Sequence, residues 1–336
     1  MSLDSVLGQQ RAAGWFRSAV ARDRLAHALL LTGPDGSGKT LLAIEFAKAI
    51  LCQSAAAPHG DECSECRAVT SRSHPDFLFL EAQEGRRFIT IEQIRDMSQA
   101  FSRRPVRSSR RVAVVRDAER LNEEASNALL KTLEEPPSYA VIFLTTARPK
   151  SLLETIRSRC QEIRCSPLPA PVVAEILGKR VECPEHETHL AARVASGSVA
   201  EAIAIIESGC LAFYLSLRDK LLRIPKTDPF DVAEEILEWL RSQASQREVQ
   251  REHLRQILRL GALTYRDMLA HVVGCDASSL LTDAAGPHDE TARRLGANRL
   301  MQIVEAFWTA RRQTDQNADI DLVLRHLVTR VAGLQA

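Results

Sequence analysis

The residues best placed to do chemistry are Gly33-Pro34-Asp35-Gly36-Ser37-Gly38-Lys39-Thr40. They fit the phosphate-loop pattern G-x-x-x-x-G-K-[ST]. Gly33, Gly36 and Gly38 let the backbone curl until successive N–H groups, that of Ser37 among them, face inward as a nest for an anion. Lys39 can reach the β- and γ-phosphates, and the Thr40 hydroxyl can hold Mg²⁺. A glycine-rich turn of no function matches the same pattern by chance, so the flanks decide. Ala28-Leu29-Leu30-Leu31 is a short apolar run that predicts a buried strand ending at the loop. Leu41 to Leu51 predicts a helix whose N-terminus faces the phosphates.

The elements that must hold this loop follow from periodicity and caps. Ala12, Trp15, Phe16 and Val20 share one face of an N-terminal helix, which reads as plain packing. Asp76 to Leu80, Val112 to Val115, Val141 to Leu144 and Gln161 to Cys165 predict four more strands. Thr90 opens a helix over Ile91 to Phe101, with Ile91, Ile94 and Met97 at helical spacing, and Asn122 caps one that Pro136-Pro137 ends. Strands alternating with helices predict an α/β P-loop domain with a mostly parallel sheet. Arg103, Arg104, Arg107, Arg110 and Arg111 surround Pro105 in a basic run, read either as a solvated mobile loop or as a contact for nucleic-acid phosphates. Beyond Pro167-Leu168-Pro169-Ala170-Pro171 no strand is convincing. Short helices punctuated by Gly197 and Gly209 are followed by helices to the end, and Val323, Leu324, Leu327, Val328 and Val331 form an apolar stripe. The expected division is 1–166 for the P-loop domain, 167–208 for a small helical domain and 209–336 for an all-α domain.

The 336 residues are enough for two or three domains, and the net charge of +1 supplies no global field toward nucleic acid or membrane. There is no secretory pattern and no apolar run of membrane-spanning length, so the expectation is a cytoplasmic protein without a membrane partner. The eight cysteines then read as thiols or metal ligands rather than disulfides.

The segment Leu121-Asn122-Glu123-Glu124-Ala125-Ser126-Asn127-Ala128-Leu129-Leu130-Lys131-Thr132-Leu133-Glu134-Glu135-Pro136-Pro137 resembles the signature of bacterial clamp-loader subunits. These are AAA+ proteins of the DNA polymerase III holoenzyme, a DNA-directed DNA polymerase. Ser158-Arg159-Cys160 resembles the family's Ser-Arg-Cys motif, and Asp319-Ile320-Asp321 with the last helix resembles the end of its C-terminal collar. The resemblance implies an AAA+ domain, a helical lid and a collar that joins subunits. It implies a role in loading the sliding clamp onto primed DNA in replication, with the gamma or tau ATPases and the delta subunit as partners. At Arg159 it implies an arginine finger that acts in trans on a neighbour's nucleotide.

The family holds working ATPases, gamma and tau, and a non-hydrolysing stator, delta-prime. In the ATPases an acidic residue after the third strand holds Mg²⁺ and a following Glu activates water. Here those positions are Arg116 and Asp117, a degenerate Walker B pair. A guanidinium cannot ligate Mg²⁺. At about 4 Å and an effective dielectric of about 20 a unit charge pair is worth about 4 kcal/mol, so an inward Arg116 would repel the ion. A shift of one position makes Asp117 the ligand, but Ala118 then follows and Glu119 lies two along. Gly197-Ser198-Val199-Ala200 also puts Ala200 where active relatives carry an Arg. The expected site can bind ATP or ADP and hydrolyses it poorly, with Mg²⁺ left open. That favours the stator, and the alternative is an active gamma/tau-type ATPase. Relatives carry a four-cysteine zinc module, and Cys52, Cys63 and Cys66 match it while Val69 stands at the fourth position. Either His59 completes a zinc site, which wants four ligands, or the loop holds free thiols. His74 is assigned to packing.

Overall fold

The computed structural model describes residues 7–53, 63–83, 85–223, 228–275 and 288–336. The chain forms two compact units. One runs to Val172 and includes Gly197–Val199; the other holds Val173–Ser196 and Ala200–Ala336.

In the first unit the order is α1 (Gln10–Ala21), β1 (Ala28–Thr32), α2 (Lys39–Leu51), α3 (Ser64–Thr70), β2 (Phe77–Leu80), α4 (Ile91–Phe101), β3 (Arg111–Val115), α5 (Glu123–Glu134), β4 (Ala140–Thr146), α6 (Glu154–Arg157) and β5 (Gln161–Arg164). The strands make one five-stranded sheet in the order β2-β3-β4-β1-β5, and every pairing is parallel. Helices cover both faces, so the central strands are apolar without alternation. Leu29, Leu31, Val112, Val114, Val141 and Phe143 face α1 and α2, where Phe16 stacks on Phe46 at 3.9 Å. Ala28, Leu30, Ala113, Val115, Ile142 and Leu144 face α4, α5 and α6. The caps act as predicted. Thr90 and Gln93 form a reciprocal capping box on α4, and the Asn122 side chain accepts from the Ala125 N–H at the start of α5.

The basic run departs from expectation. Arg111 is not in a solvated loop. It begins β3 and is buried beside Asp76, which is fully buried, with Nη2 3.1 Å from the Asp76 carboxylate. The N–H groups of Val106, Arg107 and Ser108 donate to the same carboxylate at 2.7, 2.7 and 3.0 Å. Arg111 in turn donates to the carbonyls of Ala100, Arg103 and Arg104. One buried ion pair therefore folds the run around itself and fixes its backbone.

The regular elements among the second unit's described residues are all helices: most of α7 (Ala170–Gly178), α8 (Glu185–Val194), α9 (Val199–Glu207) after its first residue, α10 (Cys210–Leu222), α11 (Pro229–Gln243), α12 (Arg247–Val273), α13 (His288–Asp315) and α14 (Ile320–Gln335). Gly296, at φ 71°, breaks α13. The stripes read from sequence are core: Val232, Ile236, Leu237 and Leu240 of α11 and Val323, Leu324, Leu327, Val328 and Val331 of α14 are all buried. At Gly261 in α12 a Cβ would lie 2.3 Å from the Phe307 ring of α13, so these helices touch backbone to ring. Tyr265 donates from its hydroxyl to the Leu221 carbonyl, and Gln335 donates to both that hydroxyl and that carbonyl. No single helix among the described residues is long and apolar enough to cross a membrane.

Candidate functional site

The phosphate loop lies where β1, between β4 and the edge strand β5, hands over to α2. Open parallel sheets bind ligands at this end of their strands. Gly36 and Gly38 take φ 72° and 86°, so the backbone turns as an anion nest requires. Gly38 is also the left-handed cap of α2. A side chain at Gly33 would strike the Cys165 carbonyl at 2.3 Å. Lys39 is buried and its Nζ donates to the Pro34 carbonyl at 2.7 Å. Burial lowers its pKa, opposed by the negative charges of Asp35, Asp117 and Glu119 and by Cys165. Ser37 is fully buried, and its hydroxyl has no hydrogen-bond partner among the described residues. Thr40 is half-buried in the first turn of α2.

Gln9, which sequence reasoning passed over, braces the loop. It is buried, and its Nε2 donates to the Ser37 carbonyl at 2.9 Å and to the Ser166 carbonyl at 2.7 Å. Its Oε1 accepts from the Ser166 N–H at 3.2 Å. The Val199 N–H adds a bond of 3.1 Å to the Gly36 carbonyl. A glycine before a polar residue just ahead of a helix was the available signal, since Gly8 sits at φ 80°.

After β3 the chain carries a guanidinium. Arg116 lies 3.2 Å from Glu81 and 3.5 Å from Asp117 and is half exposed. It therefore leans toward Glu81 at the end of β2. The inward repulsion considered from sequence does not arise; what the site lacks is the carboxylate. Asp117 takes the left-handed conformation, φ 52°, and its N–H donates to Thr145 Oγ1 at 3.2 Å. Burial raises its pKa against the pull of Arg116. The reversal at Asp117 leads into a 3₁₀ turn, Ala118–Arg120, that brings Glu119 back. Glu119 accepts from the Ala147 N–H at 3.3 Å and acts on Lys39. The backbone is not extended there, so Glu119 comes near enough for its charge to oppose the lowering of the Lys39 pKa. Ala200 is exposed in the first turn of α9 and carries no charge.

Arg159 follows α6 on another part of the same unit. Its Nη2 lies 2.8 Å from Glu134 and its Nη1 donates to the Thr155 carbonyl at 3.0 Å. Ser158 is exposed and donates to the Thr155 carbonyl, while burial pushes the Cys160 thiol up to about 12. The signature segment and the Ser-Arg-Cys triplet, apart in sequence, meet at this ion pair.

Cys52, Cys63 and Cys66 converge, with their sulfur atoms all within 4.8 Å of one another. Together they could hold a metal ion. The Cys66 N–H and other donors hold the Cys63 thiol down, whereas burial pushes Cys66 up to about 12. Val69 is buried in the sheet core. His74 is buried too, accepts from the Asp76 N–H at Nδ1 and puts Nε2 2.8 Å from Glu65. His59 lies outside the described residues. If the cluster closes on a fourth ligand, gently prepared protein should hold about one zinc per chain. Cys63→Ser should release it. Metal analysis finding none would leave three free thiols.

A family described as "DNA polymerase III, delta subunit" has a model that matches residues 8–169. The chain is 42% identical over 149 residues to the delta-prime subunit of DNA polymerase III of Pseudomonas aeruginosa, which covers 44% of this chain and 45% of that one. With the delta-prime subunit of Bacillus subtilis it is 26% identical over 324 residues, 95% of each. With the tau subunit of Bacillus subtilis it is 29% identical over 210 residues, 61% of this chain and 37% of that one. The matched region thus spans under half of the Pseudomonas delta-prime and of tau, and nearly all of the Bacillus delta-prime.

Proposed function

We propose that the chain, similar to delta-prime subunits, is the stator of a DNA polymerase III clamp loader. It holds gamma or tau ATPases and a delta subunit in one assembly while they load the sliding clamp onto primed DNA, in the bacterial cytoplasm. The observation that carries this reading is the end of β3, where Arg116, paired with Glu81, stands in place of a metal-holding carboxylate. The nest of Gly33, Gly36, Ser37 and Gly38, with Lys39 and Thr40, suits a di- or triphosphate. ATP or ADP bound there gives α2 and the loop an anion without committing the chain to turnover. Asp35, Asp117 and Glu119 are the carboxylates whose charge reaches Lys39, and Mg²⁺ would have to draw on them. Zinc at Cys52, Cys63 and Cys66 would be structural, since nothing in the proposed chemistry passes through it. Arg159 is the residue that acts on chemistry, and it acts on a neighbour's nucleotide.

The active gamma/tau-type reading makes the opposite demand on the isolated chain. The isolated chain should bind ATP or ADP and turn over far more slowly than about 1 s⁻¹, the lower range of ordinary enzymes. Lys39→Ala should weaken binding. Turnover at about 1 s⁻¹ or faster, abolished by Lys39→Ala, would replace the stator with an ATPase.

A further inference from the structure

Arg159 does not hang free from the surface. Its guanidinium is held at two points on two elements: Nη2 by the Glu134 carboxylate and Nη1 by the Thr155 carbonyl. Glu134 is the last residue of α5. A carboxylate there sits at the negative pole of the helix, where a cation is favoured and an anion is not. Glu135 follows at once, and Lys131 is the basic residue in that last turn. Glu134 is therefore a poor choice for the stability of α5 unless a guanidinium meets it. As a surface pair it contributes little to stability, because both side chains stay well exposed, 36% for Arg159 and 50% for Glu134.

What the pair supplies is orientation. A free arginine samples many rotamers, and a ligand that binds it must pay for the ones it loses. With one edge of the fork on Glu134 and Thr155, the rest of the guanidinium's five N–H donors stay available to an outside anion. We propose that Glu134 is the positioning residue for Arg159, presenting the finger to the γ-phosphate of a nucleoside triphosphate bound by a neighbouring subunit. This rests on the finger reading of Arg159. No bond is made or broken at Glu134; it acts through Arg159 by holding a geometry that the transition state requires.

The test is a cycle on the reconstituted complex, measured as DNA- and clamp-stimulated ATPase. Glu134→Ala should lower kcat about three- to tenfold and leave KM for ATP within about twofold, the pattern of an interaction felt only in the transition state. Glu134→Gln, which keeps an acceptor and loses the charge, should fall between. In the Arg159→Ala background, Glu134→Ala should change nothing further. Thermal melting and assembly of the Glu134 variants should match the parent. If Arg159→Ala lowers activity but Glu134→Ala is silent, or if the two losses multiply, positioning by Glu134 is wrong and the finger stands. If Arg159→Ala itself is silent, there is no finger to position and the reading beneath falls with it.

Discussion

Arg159→Ala should cut the DNA- and clamp-stimulated ATPase of the assembled complex about tenfold, and clamp loading with it. The same change should leave nucleotide binding by the isolated chain as it was. Guanidinium stays charged at every working pH and can bind phosphate oxygens with two parallel donors. In the transition state of phosphoryl transfer, charge grows on the oxygens such a group would touch. Fingers supplied to other NTPases are worth about 10³ to 10⁵ in rate. The smaller figure expected here reflects one finger among several, since the others continue to act at their own sites. The structure adds a reason to expect a clean result. Arg159 is a surface side chain whose contacts, with Glu134 and the Thr155 carbonyl, are local. Removing it should cost under about 1 kcal/mol of stability, so folding and assembly serve as internal controls. Full ATPase and full loading in the variant complex would make Arg159 ordinary surface, and the chain a scaffold alone.

The largest effect on stability is expected at Asp76→Ala, about 3–5 kcal/mol, the range for breaking a buried ion pair from one side. The substitution leaves Arg111 buried without its counter-ion and takes the acceptor from the N–H groups of Val106, Arg107 and Ser108. Melting should fall on the order of 10 °C. Trypsin should cut after Arg103 and Arg107 well before the rest of the chain. Acidification should work in the same direction. Burial alone would raise the pKa of Asp76, but the N–H donors and Arg111 outweigh it and hold the carboxyl down at about 2. That lies below the ordinary value of about 3.9 expected in the unfolded chain. A depressed folded pKa means that the contribution is complete above the unfolded value and fades as pH falls toward 2, on the order of 2 kcal/mol in all. A loss below about 1 kcal/mol in the alanine variant would show that the loop is held by something other than this pair.

Much of the first unit was legible because its determinants are local. Runs such as Ala28–Leu31 and Val112–Val115 are apolar at every position because helices cover both faces of the sheet. Asn122 and Thr90 announce their helices by side-chain chemistry within one turn. The misreadings share the opposite property. Arg111 resembled its neighbours in a basic run, and only its pairing with Asp76, 35 residues earlier, buries it. Gln9 braces the phosphate loop through Ser166, 157 residues on. The two motifs read as separate signatures, Glu134-Glu135-Pro136-Pro137 and Ser158-Arg159-Cys160, are joined in space by one ion pair. Spacing along the chain carries no trace of that contact.

Gly261 has a consequence for the C-terminal unit that concerns sliding rather than strength. A glycine inside a helix costs about 1 kcal/mol against alanine, and here it lies in the middle of α12. Its bare Cα is where the Phe307 ring of α13 rests. Shifting α13 along α12 by one turn would set the ring against Ile257 and Leu258 or against Thr264 and Tyr265, which share the face of Gly261 and are already buried. The notch therefore works like the detent on a sliding bolt. Long apolar helices can pack in several axial offsets of similar energy, and one missing methyl group selects a single offset among them.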